Sequence, residues 1–433
     1  MAHLTLREVE ELLNAKTVGK PYSIHFTGVS IDSRSIKKGN IFIAIVGKKH
    51  DAHRFIPDAF KNGATLAITS KETPYPHIRV PDTFSALKRL AGYTLRKSGA
   101  FPIAVLGSSG KTSTKDLLFE ILKSYNAHKT YGNENNFIGV SKTLLALENH
   151  RLCVVEVGTN HPGEIADIAS FFQPKLAIFT NIGTSHIGNF GSIDAIAREK
   201  VSIVAPFTDV VYNYDDHILR KHFYPEKIGC SMINPTADTY IRNITTNFIT
   251  VQAGARLFNL PINKAIHPYS LLLAVRAAVA YDPDIDSSII AHAVESFRAP
   301  LYRMQEETLN NTVFILDCYN ANPDSMRYAL STLARREGKK LAILGDMLEL
   351  GEFTDKYHKQ LGEFVRELNL DLITYGKHSI RVAEASTKNA RHFENKRELA
   401  EYLKQIYTSF DVVLIKGSRA MKMEEIFYAL KGE

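Results

Sequence analysis

The 433-residue sequence predicts an α/β protein of three domains. The first covers residues 1–99. A central parallel-sheet domain carrying a phosphate loop covers 100–299. A smaller, doubly wound, Rossmann-like domain covers 300–433. Three observations predict this. The length suits two to four domains, three being the natural division. Apolar strand-like runs alternate with amphipathic helical stretches in two separate series. Between a strand pattern and a helix pattern in the first series stands Gly107-Ser108-Ser109-Gly110-Lys111-Thr112.

The chain opens on a helical pattern, Leu4 to Leu13, followed by short strands, of which 40–45 and 64–68 are the clearest. Ser98-Gly99-Ala100-Phe101-Pro102 is a turn cluster and reads as a boundary. Ile103 to Leu106 is then a strand, and a helix runs from Lys111 to about Ser124. Apolar runs at 152–157, 176–180 and 209–212 alternate with helical stretches, the pattern of a parallel sheet covered by helices. The second series places strands at 312–316, 341–344, 372–375 and 412–415. Its helices are expected at 324–336, 354–368 and 396–407.

Composition narrows the class. Apolar residues make up 45% and charged residues 23%, as in ordinary globular proteins. No apolar run has the roughly 18–20 residues a membrane span needs, and the nearest, Ser270 to Tyr281, carries Arg276 in its middle. Arg7, Glu8, Glu10 and Glu11 stand where a secretory leader would be apolar. The expectation is a cytoplasmic protein with no membrane span. Cys153, Cys230 and Cys318 are too few and too scattered for a disulfide framework and read as buried apolar thiols. The net charge of +7 suits anionic ligands such as nucleotides. Dispersed charge without a Lys/Arg run of five argues against a nucleic-acid surface.

The glycine-rich string is an ATP site by its context. Glycines let backbone N–H groups and a helix N-terminus face phosphate oxygens. Lys111 then neutralises the β/γ-phosphates, and the Thr112 hydroxyl can ligate a divalent cation. The eight-residue Walker pattern is incomplete, since Val105 stands where it wants glycine. Glu156 ends a strand-like run, and His186 follows another, so both fall at strand carboxyl ends, where open sheets bind ligands. Each alone has a plain structural explanation. Together with the phosphate loop they are candidate Mg²⁺ ligands, because the ion needs protein oxygens besides phosphate. His50 and His53 have no acidic or cysteine partner at ligand spacing.

Several strings together resemble the Mur ligase family, ATP-dependent enzymes that form amide bonds in bacterial peptidoglycan precursors. They are GSSGKTST (107–114), GNENN (132–136), Glu156-Val157-Gly158, TNIGTSHIGNFG (180–191) and Ala195 to Lys200. DCYNANPDSM (317–326), LGDMLELG (344–351) and KGSRAMKM (416–423) narrow the match within the family. The resemblance runs from about residue 28 to 427. It implies an enzyme that uses ATP and Mg²⁺ to join D-alanyl-D-alanine to a UDP-MurNAc-tripeptide through an acyl phosphate. The N-terminal domain would bind the UDP end, and the last domain would close over the nucleotide and take the dipeptide.

The resemblance also implies roles for particular residues. Gly107, Ser108, Ser109, Gly110, Lys111, Thr112, Ser113, Asn181, Arg303 and Asp317 would hold ATP, with Asp317 on the ribose and Arg303 on the phosphates. Ser33, Arg34, Asn133, Asn135, Asn136, Tyr319, Asn320 and Asn322 would contact the other substrates. Thr112, Glu156, His186 and Lys200 would hold the metal, with Lys111, His186 and Lys200 counted as catalytic. An ammonium cannot ligate a cation, so the resemblance implies a carbamylated Lys200; without it, Lys200 reads as an exposed helix lysine. The chain departs from the family at Ala52, at Leu271 in place of an adenine-contacting asparagine, and at Tyr302 in place of a glycine before Arg303. A related ligase with another acceptor and a regulatory P-loop NTPase are the competing readings. A monomer is the default expectation.

Overall fold

The computed structural model describes residues 4–47, 50–386 and 390–432. It is built on three sheets laid out along the chain, plus a short ladder pairing Leu4–Thr5 with His25–Phe26. The N-terminal sheet has five strands in the order Thr17–Val18, His77–Arg79, Ala64–Thr69, Asn40–Ile43 and Gly28–Ser30. The opening helix, Leu6–Leu13, starts in a capping box: Thr5 and Glu8 satisfy each other's backbone N–H. Helix Thr83–Ser98 is capped by Asp82 and ends at Gly99, whose φ of 68° stops it. It packs on the central helix Phe137–Leu145, with the Phe84 and Phe137 rings 5.8 Å apart.

The central sheet has nine strands. Strand Phe101–Leu106 lies between Leu152–Glu156 and Leu176–Phe179, parallel to both. The chain departs from it in one direction and later returns to its other side, which opens a crevice at the strands' carboxyl ends. The parallel run continues through Asp209–Asn213 and Ile228–Ser231 to Thr239–Ile244. The parallel sheet expected from the runs at 152–157, 176–180 and 209–212 is present, and beyond it the sheet changes sense. Thr239–Ile244, Phe248–Ala253 and Arg256–Pro261 form an antiparallel ribbon, two of whose strands bury alternate residues: Ile249, Val251 and Ala253, then Phe258 and Leu260. The apolar stretch around Arg276 is helix Pro268–Tyr281, packed on the helix that follows the phosphate loop. No helix among the described residues is long and apolar enough to cross a membrane. All three cysteines are free and buried, and burial pushes the Cys153 and Cys230 thiols up to about 12.

The last sheet has six strands in the order Gln305–Leu309, Thr312–Asp317, Val412–Lys416, Lys340–Gly345, Asp371–Tyr375 and Arg391–Phe393. Five run parallel, as the strand–helix alternation predicts. Gln305–Leu309 is an added antiparallel edge, joined to its neighbour through Asn310 and Asn311, with φ of 46° and 68°.

Candidate active site

The phosphate loop leaves strand Phe101–Leu106 and runs into helix Lys111–Leu122. Gly107 and Gly110 take φ of 145° and 78°, which only glycine adopts without strain. Gly107 also lies against Thr180, where a side chain has no room. Asn181 holds the loop from behind: its Oδ1 accepts the N–H groups of Ser108 at 3.1 Å and Ser109 at 2.9 Å. It therefore shapes the loop as well as lining the cleft. Lys111 is partly buried and curls back to donate to Gly107 O at 2.9 Å; desolvation lowers its pKa against the pull of Glu156.

Glu156 is only 2% exposed, yet both of its oxygens are used. Thr112 Oγ1 donates to one and Asn135 Nδ2 to the other, each at 2.8 Å. The buried ammonium of Lys115 stands 4.0 Å from the same carboxylate and donates to Thr130 O. Burying a carboxylate demands such partners. Lys200, 2% exposed, donates to Gly107 O at 3.1 Å. Burial, with Lys111 as a like-charged neighbour, pulls its pKa down to about 7.

The last sheet completes the cleft from above. Arg303 Nη2 donates to Thr112 Oγ1 at 2.9 Å and its guanidinium lies 3.8 Å over the Tyr319 ring. Asn322 caps helix Pro323–Ala334 with its oxygen and reaches Ser185 Oγ at 2.6 Å and Ser109 Oγ at 3.3 Å with its amide nitrogen. Asp324 accepts from the N–H and hydroxyl of Thr184. Asp317 pairs with the buried Lys416 at 2.5 Å. The carboxylate of Glu349 comes within 2.8 Å of His186 Nδ1, and proximity to that imidazole lowers the Glu349 pKa. The two sheets' loops touch backbone to backbone at Gly188 and Gly351. A methyl group on Gly188 would stand 2.5 Å from Gly351 N, against main chain that cannot swing aside. Gly188→Ala is expected to misalign the two walls and lower kcat about 10²-fold, checked by steady-state kinetics beside a thermal melt that shows the protein still folded.

One cleft of about 1180 Å³ gathers Ser108 to Ser113, Asn133, Asn135, Asn136, Glu156, Asn181, His186, Lys200, Arg303, Asp317, Tyr319, Asn320 and Asn322. That volume exceeds what one small ligand fills. Ser33 and Arg34 are not in its lining. They sit on the short turn Ser33–Ser35 of the first sheet, where Arg34 is paired with Asp32 at 2.7 Å. Asn136 lines the cleft while its oxygen caps helix Phe137–Leu145. Leu271 is buried in the apolar core and turns away from the cleft, whose rim there is His267, Tyr269 and Tyr328. His267 lies 4.5 Å from the Tyr328 ring, and burial pulls its pKa down to about 4. Tyr302 and Met304, on either side of Arg303, have φ of 59° and 51°, so the glycine-like backbone is kept without the glycine.

The residues missed by sequence reasoning are the partners of the site: Asp324 and Glu349, which meet Thr184 and His186 across the walls, and Lys115 and Lys416, which stand beside Glu156 and Asp317 within one wall. Asp324, Glu349 and Lys416 lie inside the recognised strings, where their position in the motif was the available signal. Among the described residues no group of three or more His, Cys, Asp or Glu is arranged to hold a metal unaided. The Thr112 hydroxyl and Glu156 carboxylate do offer adjacent hard oxygens, which suits Mg²⁺ completing its shell with water and phosphate.

Comparison with known proteins matches residues 25–91 to the Mur ligase family catalytic domain, 105–269 to the Mur ligase middle domain and 302–419 to the Mur ligase glutamate ligase domain. A Bacillus subtilis protein named UDP-N-acetylmuramoyl-tripeptide–D-alanyl-D-alanine ligase is 31% identical over 98% of both chains. Its namesake from Escherichia coli is 30% identical over 100% of this chain and 99% of its own. A crystal structure of MurF from Acinetobacter baumannii superposes with a TM-score of 0.90 at 28% identity, covering 100% of this chain and 99% of its own. MurF ligase from Thermotoga maritima in complex with ADP gives 0.82 at 26%, covering 94% and 97%.

Proposed function

We propose, because this chain belongs to the Mur ligase family, that it joins D-alanyl-D-alanine to UDP-N-acetylmuramoyl-tripeptide at the expense of ATP, a step of peptidoglycan synthesis. The observation that carries this reading is a single cleft walled by a phosphate loop on one side and by Arg303, Asp317 and Asn322 on the other. Similarity to ligases of that name over nearly the whole chain supports the same substrates.

The chemistry follows from the substrates. A carboxylate resists attack by an amine because oxide is a very poor leaving group. Transfer of the γ-phosphoryl group of ATP to the tripeptide's terminal carboxylate breaks the bond to ADP and forms an acyl phosphate. The dipeptide's amine adds to that carbonyl, the amine proton is lost, and phosphate leaves as the amide forms. The protein's part is placement and charge neutralisation. Lys111, Arg303 and the loop N–H groups face the phosphates. Asp317, steadied by Lys416, is positioned for the ribose. Asn133, Asn135, Asn136, Tyr319, Asn320 and Asn322 line the space left for the acceptor and donor. Ser33 and Arg34 would meet the UDP end. Three extended residues reach only about 10 Å, and the sugar and diphosphate carry the uridine further, so contacts outside the cleft are what the substrate's length requires.

Thr112, Glu156 and His186 would hold Mg²⁺, which supplies charge neutralisation at the phosphates when bound. Lys200 joins them once carbamylated. Its amine, held near pKa 7, is largely unprotonated at mildly alkaline pH, the form that adds to CO₂ and releases a proton. The carbamate replaces one positive charge by one negative and offers two oxygens. Domain limits at 99 and 299, a monomer whose cleft is complete within one chain, and a cytoplasmic setting, where ATP and nucleotide sugars are found, belong to the same proposal.

The test is phosphate release from Mg-ATP with UDP-MurNAc-tripeptide, with and without D-alanyl-D-alanine. Release requiring both, with a product heavier by one dipeptide, is the expected result. Release indifferent to both overturns the proposal and leaves a nucleotide-hydrolysing protein.

A further inference from the structure

The incoming dipeptide is a zwitterion whose ammonium and carboxylate lie about 7 Å apart in two extended residues, so its subsite needs an anionic group beyond one end and a cationic group beyond the other. Most charged groups of the cleft are already committed. Among the anions, Glu156 is held by Thr112 and Asn135, Asp317 by Lys416, Asp324 by Thr184 and Glu306 by Arg336. Glu349 differs. It is half-exposed, and its contact with His186 Nδ1 lacks the alignment of a hydrogen bond. Among the cations, Lys111 and Lys200 donate to the phosphate loop, Lys416 is paired and Arg303 sits on Thr112, while the exposed Lys264 and Arg335 lie on the segments that carry the His267–Tyr328 rim rather than on the loop of Glu349. Arg419 spends one Nη1 contact, at 2.7 Å, on Glu424, while its guanidinium stays about half-exposed at the cleft, 5.5 Å from the Tyr302 ring. A guanidinium has five donors, so a face of Arg419 is free for a second carboxylate.

Glu349 and Arg419 are also neighbours in space. They follow strands Lys340–Gly345 and Val412–Lys416, which lie side by side. Leu348 N donates to Ser418 Oγ at 2.9 Å, and Ser418 N donates to Asp346 O at 3.1 Å. Glu349 and Arg419 are each one residue beyond the Leu348–Ser418 bond, and the two loops line the same cleft.

We infer that Glu349 and Arg419 form the acceptor subsite, Glu349 receiving the dipeptide's ammonium beside His186 and Arg419 its terminal carboxylate. The inference rests on the proposed ligase reading. On this arrangement the dipeptide is taken by its two ends rather than by its methyl groups, and its free carboxylate is a specificity determinant.

The test compares D-alanyl-D-alanine with D-alanyl-D-alaninamide, which keeps the ammonium and loses the anionic end. The unaltered protein is expected to prefer the acid about tenfold in kcat/KM, the ratio of a modest charge-assisted contact. In Arg419→Met the two acceptors should fall within about twofold of each other, and Arg419→Lys should keep part of the preference. Because the readout is a ratio within each variant, a general loss of activity does not imitate it, and Arg419→Lys serves alone if the methionine variant does not fold. Glu349→Gln should raise the dipeptide KM about tenfold and leave the ATP KM unchanged. An unaltered protein indifferent to the amide, or Arg419 variants with the full preference, overturns the inference. An unaltered protein that ligates neither acceptor overturns the ligase reading instead.

Discussion

Lys111→Met lowers kcat about 10²- to 10³-fold, the usual cost of removing one preorganised charge from a dry site, while the protein stays folded. The methionine side chain has nearly the length of the lysine stem, and the amine it replaces makes two loop contacts, with the carbonyls of Gly107 at 2.9 Å and Ser108 at 3.5 Å. Desolvation already disfavours the charge at this position. Its loss therefore costs folding little and costs phosphoryl transfer a great deal. Steady-state kinetics beside a thermal melt checks both halves. A variant that keeps more than a third of kcat would show that the phosphates are neutralised elsewhere.

Lys200→Arg is expected to be as damaging, again about 10²- to 10³-fold in kcat, for a different reason. Arginine keeps the positive charge and can still reach the Gly107 carbonyl that Lys200 contacts at 3.1 Å. It does not deprotonate in a protein, so it cannot add CO₂. If a plain ammonium were what the site needs, arginine would largely restore function. The direct measurement is a carbamate signal by NMR after exposure to ¹³C-bicarbonate, present in the unaltered protein and absent in the variant. An unaltered protein with no such signal and full activity in CO₂-free buffer would return Lys200 to being a buried structural amine.

How far the sequence could be read depended on whether a signal was local. Strand Phe101–Leu106 and the loop behind it are legible because an apolar run, two glycines and a helix start occur within about twenty residues. Glu156 is legible because it ends such a run. The ribbon 239–261 was not, since residues such as Asn243, Gln252 and Asn259 interrupt each short strand, and half-exposed alternation over six residues is a weak signal. Gln305–Leu309 was missed for a similar reason, with Glu306 and Glu307 in an edge strand. The cleft's composition was partly legible from its motifs, but its pairings were not. Asn322 meets Ser109 across 213 residues of sequence, and no local rule carries that distance. Amide side chains were the most deceptive. Asn181 and Asn136 look like ligand-binding groups by type and place, and in the fold each spends its oxygen holding backbone N–H groups.

The contacts of Arg303 with Thr112 and of Asn322 with Ser109 lie directly over the hydroxyls of the phosphate loop. A phosphate group that seats on those hydroxyls has to displace both contacts, so what joins the two walls here and what would bind a nucleotide are the same few atoms.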